Sequence, residues 1–123
     1  MKLRCGYPIT DGLAGLKKIV EMVRVVRETV GDDVDLMLEA YIGFNFPHAK
    51  QLLKGLEPYN LRLVEELMLP DEIHNFAKLT QYTDIPLSGG EHEYTRYGFH
   101  DLLQTGALDI FQFDTNRVGG FTE

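Results

Sequence analysis

The sequence predicts an α/β fold in which about five parallel strands alternate with helices. Short apolar runs of four to seven residues, each bounded by turn-forming residues, suit strands better than helices. Between these runs lie longer stretches whose apolar residues recur every three or four positions, which is helical spacing. Because the two kinds of segment alternate along the whole chain with short connections, a parallel sheet with crossover helices is favoured.

The predicted strands share high apolar content and a turn-forming residue at or beside each end. They cover residues 3–6, 34–40, 61–66, 85–90 and 108–113. No low-complexity tract or linker interrupts them, so the sequence shows no internal domain boundary.

Four helices are predicted between the strands, at about 11–31, 45–58, 70–79 and 95–106. The first begins at Asp11, a good N-cap residue type, and ends at Gly31, where a left-handed C-cap would lie. The second begins with Asn45 at the cap and Pro47 in the first turn, because proline is tolerated there.

The composition indicates an ordinary folded domain and excludes several kinds of partner. The chain has 123 residues and a net charge of −7, which repels phosphate backbones, so no nucleic-acid partner is expected. Cys5 is the single cysteine and cannot form an intrachain disulfide, so a cytoplasmic protein is the default expectation. No apolar run approaches the roughly 18 residues of a membrane span, so no membrane partner is expected either.

Carboxylates recur near the ends of successive predicted strands. Glu39 ends the second strand run, and 26 residues separate it from Glu65, which lies at the end of the third. Another 26 residues lead to Glu91, directly after the fourth run, and 23 more lead to Asp114, directly after the fifth. One βα unit of an eight-unit barrel takes roughly 30 residues, so the intervals correspond to one unit each.

This spacing predicts a cation site at one edge of the sheet. Parallel strands bring their carboxyl ends to the same face, which is the catalytic face of a (β/α)8 barrel. Carboxylates that converge there repel one another unless a cation neutralises them, and oxygen ligands favour Mg²⁺ over Zn²⁺. The alternative is that these acids are ordinary polar loop residues or favourable helix N-terminal charges. Glu66 should point to the opposite side of its strand from Glu65 and make a polar contact.

Several segments of the chain carry a family resemblance. They are residues 2–8, 30–33, 36–39, 64–66, 90–93 and 112–114, followed by 118–120. In this order and spacing they resemble the barrel domain of the enolase superfamily, in its mandelate racemase/muconate lactonizing enzyme branch and near acid-sugar dehydratases of the L-rhamnonate type. The resemblance implies that the chain forms part of a TIM-like (β/α)8 barrel.

The resemblance also implies roles for particular residues. Glu39, Glu65 and Glu91 would bind Mg²⁺, and Asp114 would orient a catalytic histidine from the next strand, beyond residue 123. His92 is similar to a histidine of the dehydratases and would contact substrate; the alternative is an ordinary loop histidine. Lys2 would stabilise the charge of an enediolate.

Two positions depart from the family pattern. Glu39 is one methylene longer than the usual aspartate, so the strand or the metal would have to shift, because Mg²⁺ demands near-octahedral geometry. Arg4 stands where relatives that use a lysine base have the second lysine of a Lys-x-Lys pair, and arginine cannot act as a base near neutral pH. Arg4 would therefore bind or screen a substrate carboxylate or, alternatively, pair with the ligand acids.

The function expected from these features is Mg²⁺-dependent dehydration of a sugar acid. Abstraction of the proton α to a carboxylate would be followed by loss of a β-hydroxyl group. The alternatives are a racemase or epimerase of the same superfamily, a catalytically inactive barrel segment, and a small α/β binding domain. The last would gather its acids around one pocket rather than place them on successive strands.

The length gives a further expectation about domain organisation. A closed barrel needs about 250 residues, so residues 1–123 are expected to be a partial barrel without its last strands and without the capping domain. Alone, such a segment would expose apolar sheet edges, associate and show no turnover. The full-length enzyme is expected to be a homo-oligomer with a small sugar-acid substrate.

Overall fold

The computed structural model describes all 123 residues and contains one parallel five-stranded sheet. The strands follow one another across the sheet in chain order; the last four lie inside their predicted runs, whereas the first begins one residue before the predicted 3–6 run. They are β1 (Lys2–Arg4), β2 (Met37–Glu39), β3 (Leu63–Glu65), β4 (Leu87–Gly89) and β5 (Ile110–Phe111). The predicted α/β class with five parallel strands is therefore confirmed.

Four α-helices connect the strands, and successive helices contact one another as one layer. They are α1 (Gly12–Val30), α2 (Phe46–Leu56), α3 (Ile73–Thr80) and α4 (Thr95–Thr105). Short 3₁₀ turns precede α1 and α3 and follow α2, at Ile9–Asp11, Pro70–Glu72 and Glu57–Tyr59. None of the helices combines the length and the apolar character that crossing a bilayer requires.

Alternation along the strands separates the core from the site. Leu38, Val64 and Leu87 are completely buried and belong to the apolar core formed with the helices. Their neighbours on the strands point to the opposite side of the sheet, because successive strand residues face opposite ways. On that side Glu39 lies beside Glu65 in the parallel register. The functional side chains thus stand on a rigid sheet whose other face is fully packed.

The helix ends confirm one predicted cap and revise another. The Asn45 side chain accepts a hydrogen bond from the backbone nitrogen of His48, as an N-cap residue should. Asp11 precedes α1 but its side chain makes no capping bond, because the chain already turns through a 3₁₀ helix there. Gly31 ends α1 with a φ of 76°, a conformation that favours glycine.

A buried arginine fastens the amino end of the sheet. Arg27, in the last turn of α1, donates to the carbonyl oxygens of Gly31 and Val34 (both 2.8 Å). It also donates to those of Tyr59 and Asn60 (both 2.9 Å). These carbonyls belong to the segments that lead into β2 and β3, so one side chain holds both connections against α1.

Candidate active site at the carboxyl end of the sheet

The predicted site residues lie at neighbouring carboxyl ends of the strands. Arg4 ends β1 and is opposite Glu39 of β2, which is in turn opposite Glu65 of β3. Glu91 follows β4 by two residues. The order of the strands therefore brings all three predicted metal ligands to one end of the sheet, as the spacing predicts.

Glu65 is the most deeply buried of these acids and forms an ion pair with Lys2. Its side chain is 2 % exposed, and both of its carboxylate oxygens accept from Lys2 Nζ, at 2.8 and 3.1 Å. The pKa of Lys2 is raised, mainly by this hydrogen bond and further by the charges of Glu65, Glu39 and Glu91, while partial burial opposes the rise. All three acids thus act electrostatically on the ammonium group of Lys2.

Glu39 is paired with the other cation of β1. Arg4 Nη2 lies 3.6 Å from Glu39 Oε1, and the guanidinium group stacks 3.9 Å from the centre of the Tyr41 ring. Burial, with a smaller contribution from the Glu39 charge, raises the pKa of the nearby Cys5 thiol to about 12. Arg4 therefore pairs with a predicted ligand acid, which is the alternative to binding or screening a substrate carboxylate.

Glu91 lies beside His92, whose ring is held by Arg117. Arg117 Nη1 is 2.7 Å from His92 Nδ1. Because a guanidinium group can only donate, Nδ1 accepts, and the proton of the neutral ring is on Nε2. Nε2 is buried 3.2 Å from Glu91 Oε1 without an aligned hydrogen bond. The His92 ring is thus fixed in one tautomer with its N–H beside a predicted metal ligand.

The three acids are adjacent but do not form a closed cluster of ligands. No group of three or more histidine, cysteine, aspartate or glutamate side chains lies close enough together to hold a metal ion. Each acid is drawn to a different partner: Glu39 to Arg4, Glu65 to Lys2 and Glu91 to His92. Like charges at adjacent strand ends repel, and separate partners relieve this repulsion. The donor set itself, three carboxylates, is the type that suits Mg²⁺.

Glu66 makes the polar contact predicted for it, on the other side of β3. Its side chain belongs to a buried residue, and Oε1 accepts from the backbone nitrogen of Gly90 at 2.7 Å. Burial raises the pKa of Glu66, while the Gly90 hydrogen bond and the nearby His92 oppose the rise.

Asp114 lies in the turn that follows β5. Its Oδ1 accepts from the backbone nitrogen of Asn116 at 2.8 Å, and its backbone oxygen accepts from Arg117 and Val118. The carboxylate thus stabilises a tight turn. All four histidines of the chain precede Asp114 in the sequence, so its predicted role in orienting a histidine base from the next strand stays a prediction.

Sequence reasoning missed two residues at this end of the sheet. Arg117, which fixes the His92 ring, lies 25 positions from it, and no spacing pattern links the two. Tyr41, under the Arg4 guanidinium group, has a φ of 54°, a conformation that is uncommon for tyrosine. The sequence signal that could have identified Tyr41 is its place as an aromatic residue two positions after Glu39, the acid at the end of β2.

A parallel α/β sheet with carboxylates at the carboxyl ends of its strands is typical of α/β barrel enzymes. Comparison with known proteins identifies the family. The family model described as "Enolase C-terminal domain-like" matches residues 1–123, and the chain belongs to that family. L-rhamnonate dehydratase from Saccharopolyspora erythraea is 36 % identical over 99 % of this chain and 32 % of its own length.

Solved structures agree with this assignment. Rhamnonate dehydratase from Gibberella zeae, complexed with Mg, superposes with a TM-score of 0.94 at 36 % identity, covering 99 % of this chain and 30 % of its own. A racemase from Streptomyces coelicolor with bound magnesium gives a TM-score of 0.90 at 29 % identity, covering 98 % and 34 %. The chain thus spans about a third of the length of these relatives.

Proposed function

We propose that this chain forms the metal-binding part of a Mg²⁺-dependent dehydratase that acts on a sugar acid. The observation that carries the proposal is that three carboxylates lie at the carboxyl ends of successive parallel strands, where the charge of each helps to raise the pKa of Lys2. Relatives that include an L-rhamnonate dehydratase and a Mg-complexed rhamnonate dehydratase support the reaction class. We also propose that residues 1–123 form part of the barrel of a longer enzyme and that this enzyme is a homo-oligomer.

Glu39, Glu65 and Glu91 are the residues that would hold Mg²⁺. Their oxygens are hard donors, and Mg²⁺ binding would require Glu39 to give up its contact with Arg4 and Glu65 its contact with Lys2. When bound, Mg²⁺ supplies positive charge that stabilises the negative charge developing on the substrate carboxylate. Glu39 is in register with Glu65 of β3, and its longer side chain would require a shift of the strand or of the metal.

The remaining site residues would bind the substrate and stabilise charge. Lys2, released from Glu65, would place its ammonium group beside the enediolate oxygens. Arg4 would screen the substrate carboxylate and, because it cannot give up its proton, would not act as a base. His92, whose Nε2–H lies beside Glu91, would donate a hydrogen bond to a substrate oxygen. Asp114 would orient the histidine base, a residue outside the 123 described here.

The reaction that these parts serve is a β-elimination. The base removes the proton α to the carboxylate, and the electron pair of the C–H bond enters an enediolate. A general acid then donates a proton to the β-hydroxyl oxygen while the bond between this oxygen and the β-carbon breaks, and the oxygen leaves as water. The enol product becomes a 2-keto-3-deoxy acid. One base suffices for this sequence, whereas racemisation needs an acid or base on each face, and Arg4 removes one candidate.

A calorimetric titration with Mg²⁺ tests the metal site. We expect the double variant Glu65→Gln, Glu91→Gln to lose at least about 100-fold in Mg²⁺ affinity, because two ligand charges are removed. The matched control is Glu21→Gln, Glu28→Gln, which removes two exposed carboxylates of α1 that contact only Arg24. Equal affinity of the site variant and the native protein would refute the metal assignment.

Proton NMR in D₂O separates dehydration from racemisation. With L-rhamnonate as the probe, the full-length enzyme should form a 2-keto-3-deoxy acid together with water. Exchange of the α-proton for deuterium without loss of the hydroxyl group would instead favour the racemase alternative. That alternative has the support of the structural match to a racemase.

A further inference from the structure

We infer that Glu66 is a positioning residue of the carboxylate site: its side chain holds the backbone that leads into Glu91 without itself contacting the metal. The inference rests on the proposed function, because it assigns a role within the same site. Glu66 is a buried carboxylate for which the proposed reaction has no chemical use. Its hydrogen bonds reach the segments on both sides of β3.

Three hydrogen bonds connect Glu66 to the strand ends that bear the other acids. Its side-chain Oε1 accepts from Gly90 N at 2.7 Å, directly before Glu91. Its backbone oxygen accepts from Ile42 N at 2.6 Å, three residues after Glu39. Its backbone nitrogen donates to Ser88 O at 2.9 Å, and Glu65 precedes it in the chain. A single residue is thus bonded to the loops of Glu39 and Glu91 and adjacent to Glu65.

Backbone strain at these loops shows that the contacts hold a specific shape. Glu66 and Ile42 have φ values of 50° and 58°, in the left-handed region that non-glycine residues rarely occupy. Such conformations persist only where the surroundings enforce them, and they concentrate at functional sites. The hydrogen bond between Ile42 N and the Glu66 carbonyl joins the two strained residues directly.

Glu66 also limits the space at Gly89, and other residues limit the space at Gly90. A Cβ on Gly89 would lie 3.0 Å from Glu66 Oε1, and one on Gly90 would lie 2.9 Å from the Phe99 ring and 3.0 Å from the Gln112 carbonyl oxygen. The two glycines therefore lie in a slot bounded by Glu66, directly after β3, by Phe99 of α4 and by Gln112, directly after β5. Within that slot, Glu66 supplies the acceptor for the Gly90 N–H that precedes Glu91.

Two variants separate the reach of Glu66 from its charge. Glu66→Gln keeps a side-chain oxygen within hydrogen-bond distance of Gly90 N but removes the negative charge. Glu66→Asp keeps the charge, but its side chain is one methylene too short to reach Gly90 N. We expect Glu66→Asp to speed hydrogen exchange of the Gly90 amide by at least about 10-fold. Its Mg²⁺ dissociation constant should rise about 10- to 100-fold, the range typical of residues that orient metal ligands. Glu66→Gln should stay within about 3-fold of the native protein in both measurements.

The outcomes distinguish this inference from the proposed function. Glu57→Asp and Glu57→Gln, at an exposed residue near the amino end of the sheet, are the matched controls and should change neither measurement. The inference is overturned when Glu66→Asp and Glu66→Gln change the Gly90 exchange rate equally, or when the Gln variant loses the greater share of Mg²⁺ affinity. Should the native protein bind no Mg²⁺, the proposed function fails, while the Gly90 exchange rates still decide whether Glu66 holds this turn.

Discussion

At the amino end of the sheet, the buried cation Arg27 is 7 % exposed and is surrounded by backbone carbonyl oxygens that satisfy four of its N–H groups. At the carboxyl end, the buried anions Glu65 and Glu66 are 2 % and 4 % exposed, and their partners are a half-exposed lysine and one backbone amide. Both ends bury charge, but at the amino end every hydrogen-bond partner is a backbone carbonyl, whereas at the carboxyl end one partner is a mobile side chain.

This difference shows how the molecule divides stability from chemistry. The carbonyl partners of Arg27 are fixed by the chain, so that contact can only be lost by local unfolding. Lys2 holds Glu65 from an exposed position and can be exchanged for another cation without disturbing the backbone. In parallel α/β folds, residues at the amino ends of the strands serve stability and those at the carboxyl ends serve function. The two kinds of buried charge agree with that division.

The largest expected effect is on the amino end. Arg27→Met keeps most of the aliphatic stem but removes every donor to the four carbonyl oxygens. Leaving several buried acceptors without partners should lower the free energy of unfolding by about 3 kcal/mol. Urea denaturation measures this change. Arg24→Met, on the exposed face of the same helix, is the control, and its urea midpoint should barely move. Similar midpoints for the two variants would contradict the structural role of Arg27.

A smaller effect is expected at Cys5, which reports on the carboxyl end. Since its pKa is raised from 9.0 to about 12, the reactive thiolate at pH 8 is roughly 1,000-fold scarcer than in the unfolded chain. A more basic thiolate is also more nucleophilic, which offsets about 20-fold of this loss in alkylation rate. Alkylation of Cys5 should therefore be about 50-fold slower in the native protein at pH 8.

The alkylation rate of Cys5 should also depend on pH in a way that reveals its raised pKa. The native rate should rise about tenfold per unit between pH 8 and pH 11, because deprotonation occurs only near the raised pKa. The unfolded protein, measured in urea, should level off above pH 9 and serves as the control. Native and unfolded rates within about 3-fold of each other at pH 8 would show that Cys5 does not experience the burial and negative charge of this region.

The sequence was sufficient for the order and type of every strand and helix, because apolar periodicity and turn residues are local signals. It overestimated strand lengths: Leu36 and Ala40 are buried and apolar but lie outside the β2 ladder. An apolar run cannot distinguish a strand from the buried loop beside it. Arg27 was detectable, since it continues the spacing of Ile19 and Val23 along the buried stripe of α1.

The candidate site was predictable in place but not in its contacts. Strand spacing brought Glu39, Glu65 and Glu91 to one end of the sheet, since parallel strands share a direction. The pairing of Lys2 with Glu65 joins residues 63 positions apart and depends on side-chain rotation, which no periodic pattern encodes. The strained loop conformations at Ile42 and Glu66 likewise arise from contacts between neighbouring strands.

The smallest expected effect tests whether unsatisfied buried polar groups at the carboxyl end of the sheet lower the stability of the protein. Ser88 is opposite Glu65 in the sheet and completely buried, and its hydroxyl oxygen has no hydrogen-bond partner. Removing an unsatisfied buried hydroxyl while keeping the side-chain shape is favourable, so Ser88→Ala should raise the free energy of unfolding by about 1 kcal/mol. Thr80→Val is the matched control, because the Thr80 hydroxyl bonds the carbonyl oxygens of Ala77 and Gly106 and its loss should destabilise the protein. If urea denaturation shows opposite signs for the two variants, the stability cost lies at the carboxyl end. If Ser88→Ala loses stability instead, the Ser88 hydroxyl has a hydrogen-bond partner in solution, and the buried polar groups at the two ends of the sheet are equally well hydrogen-bonded.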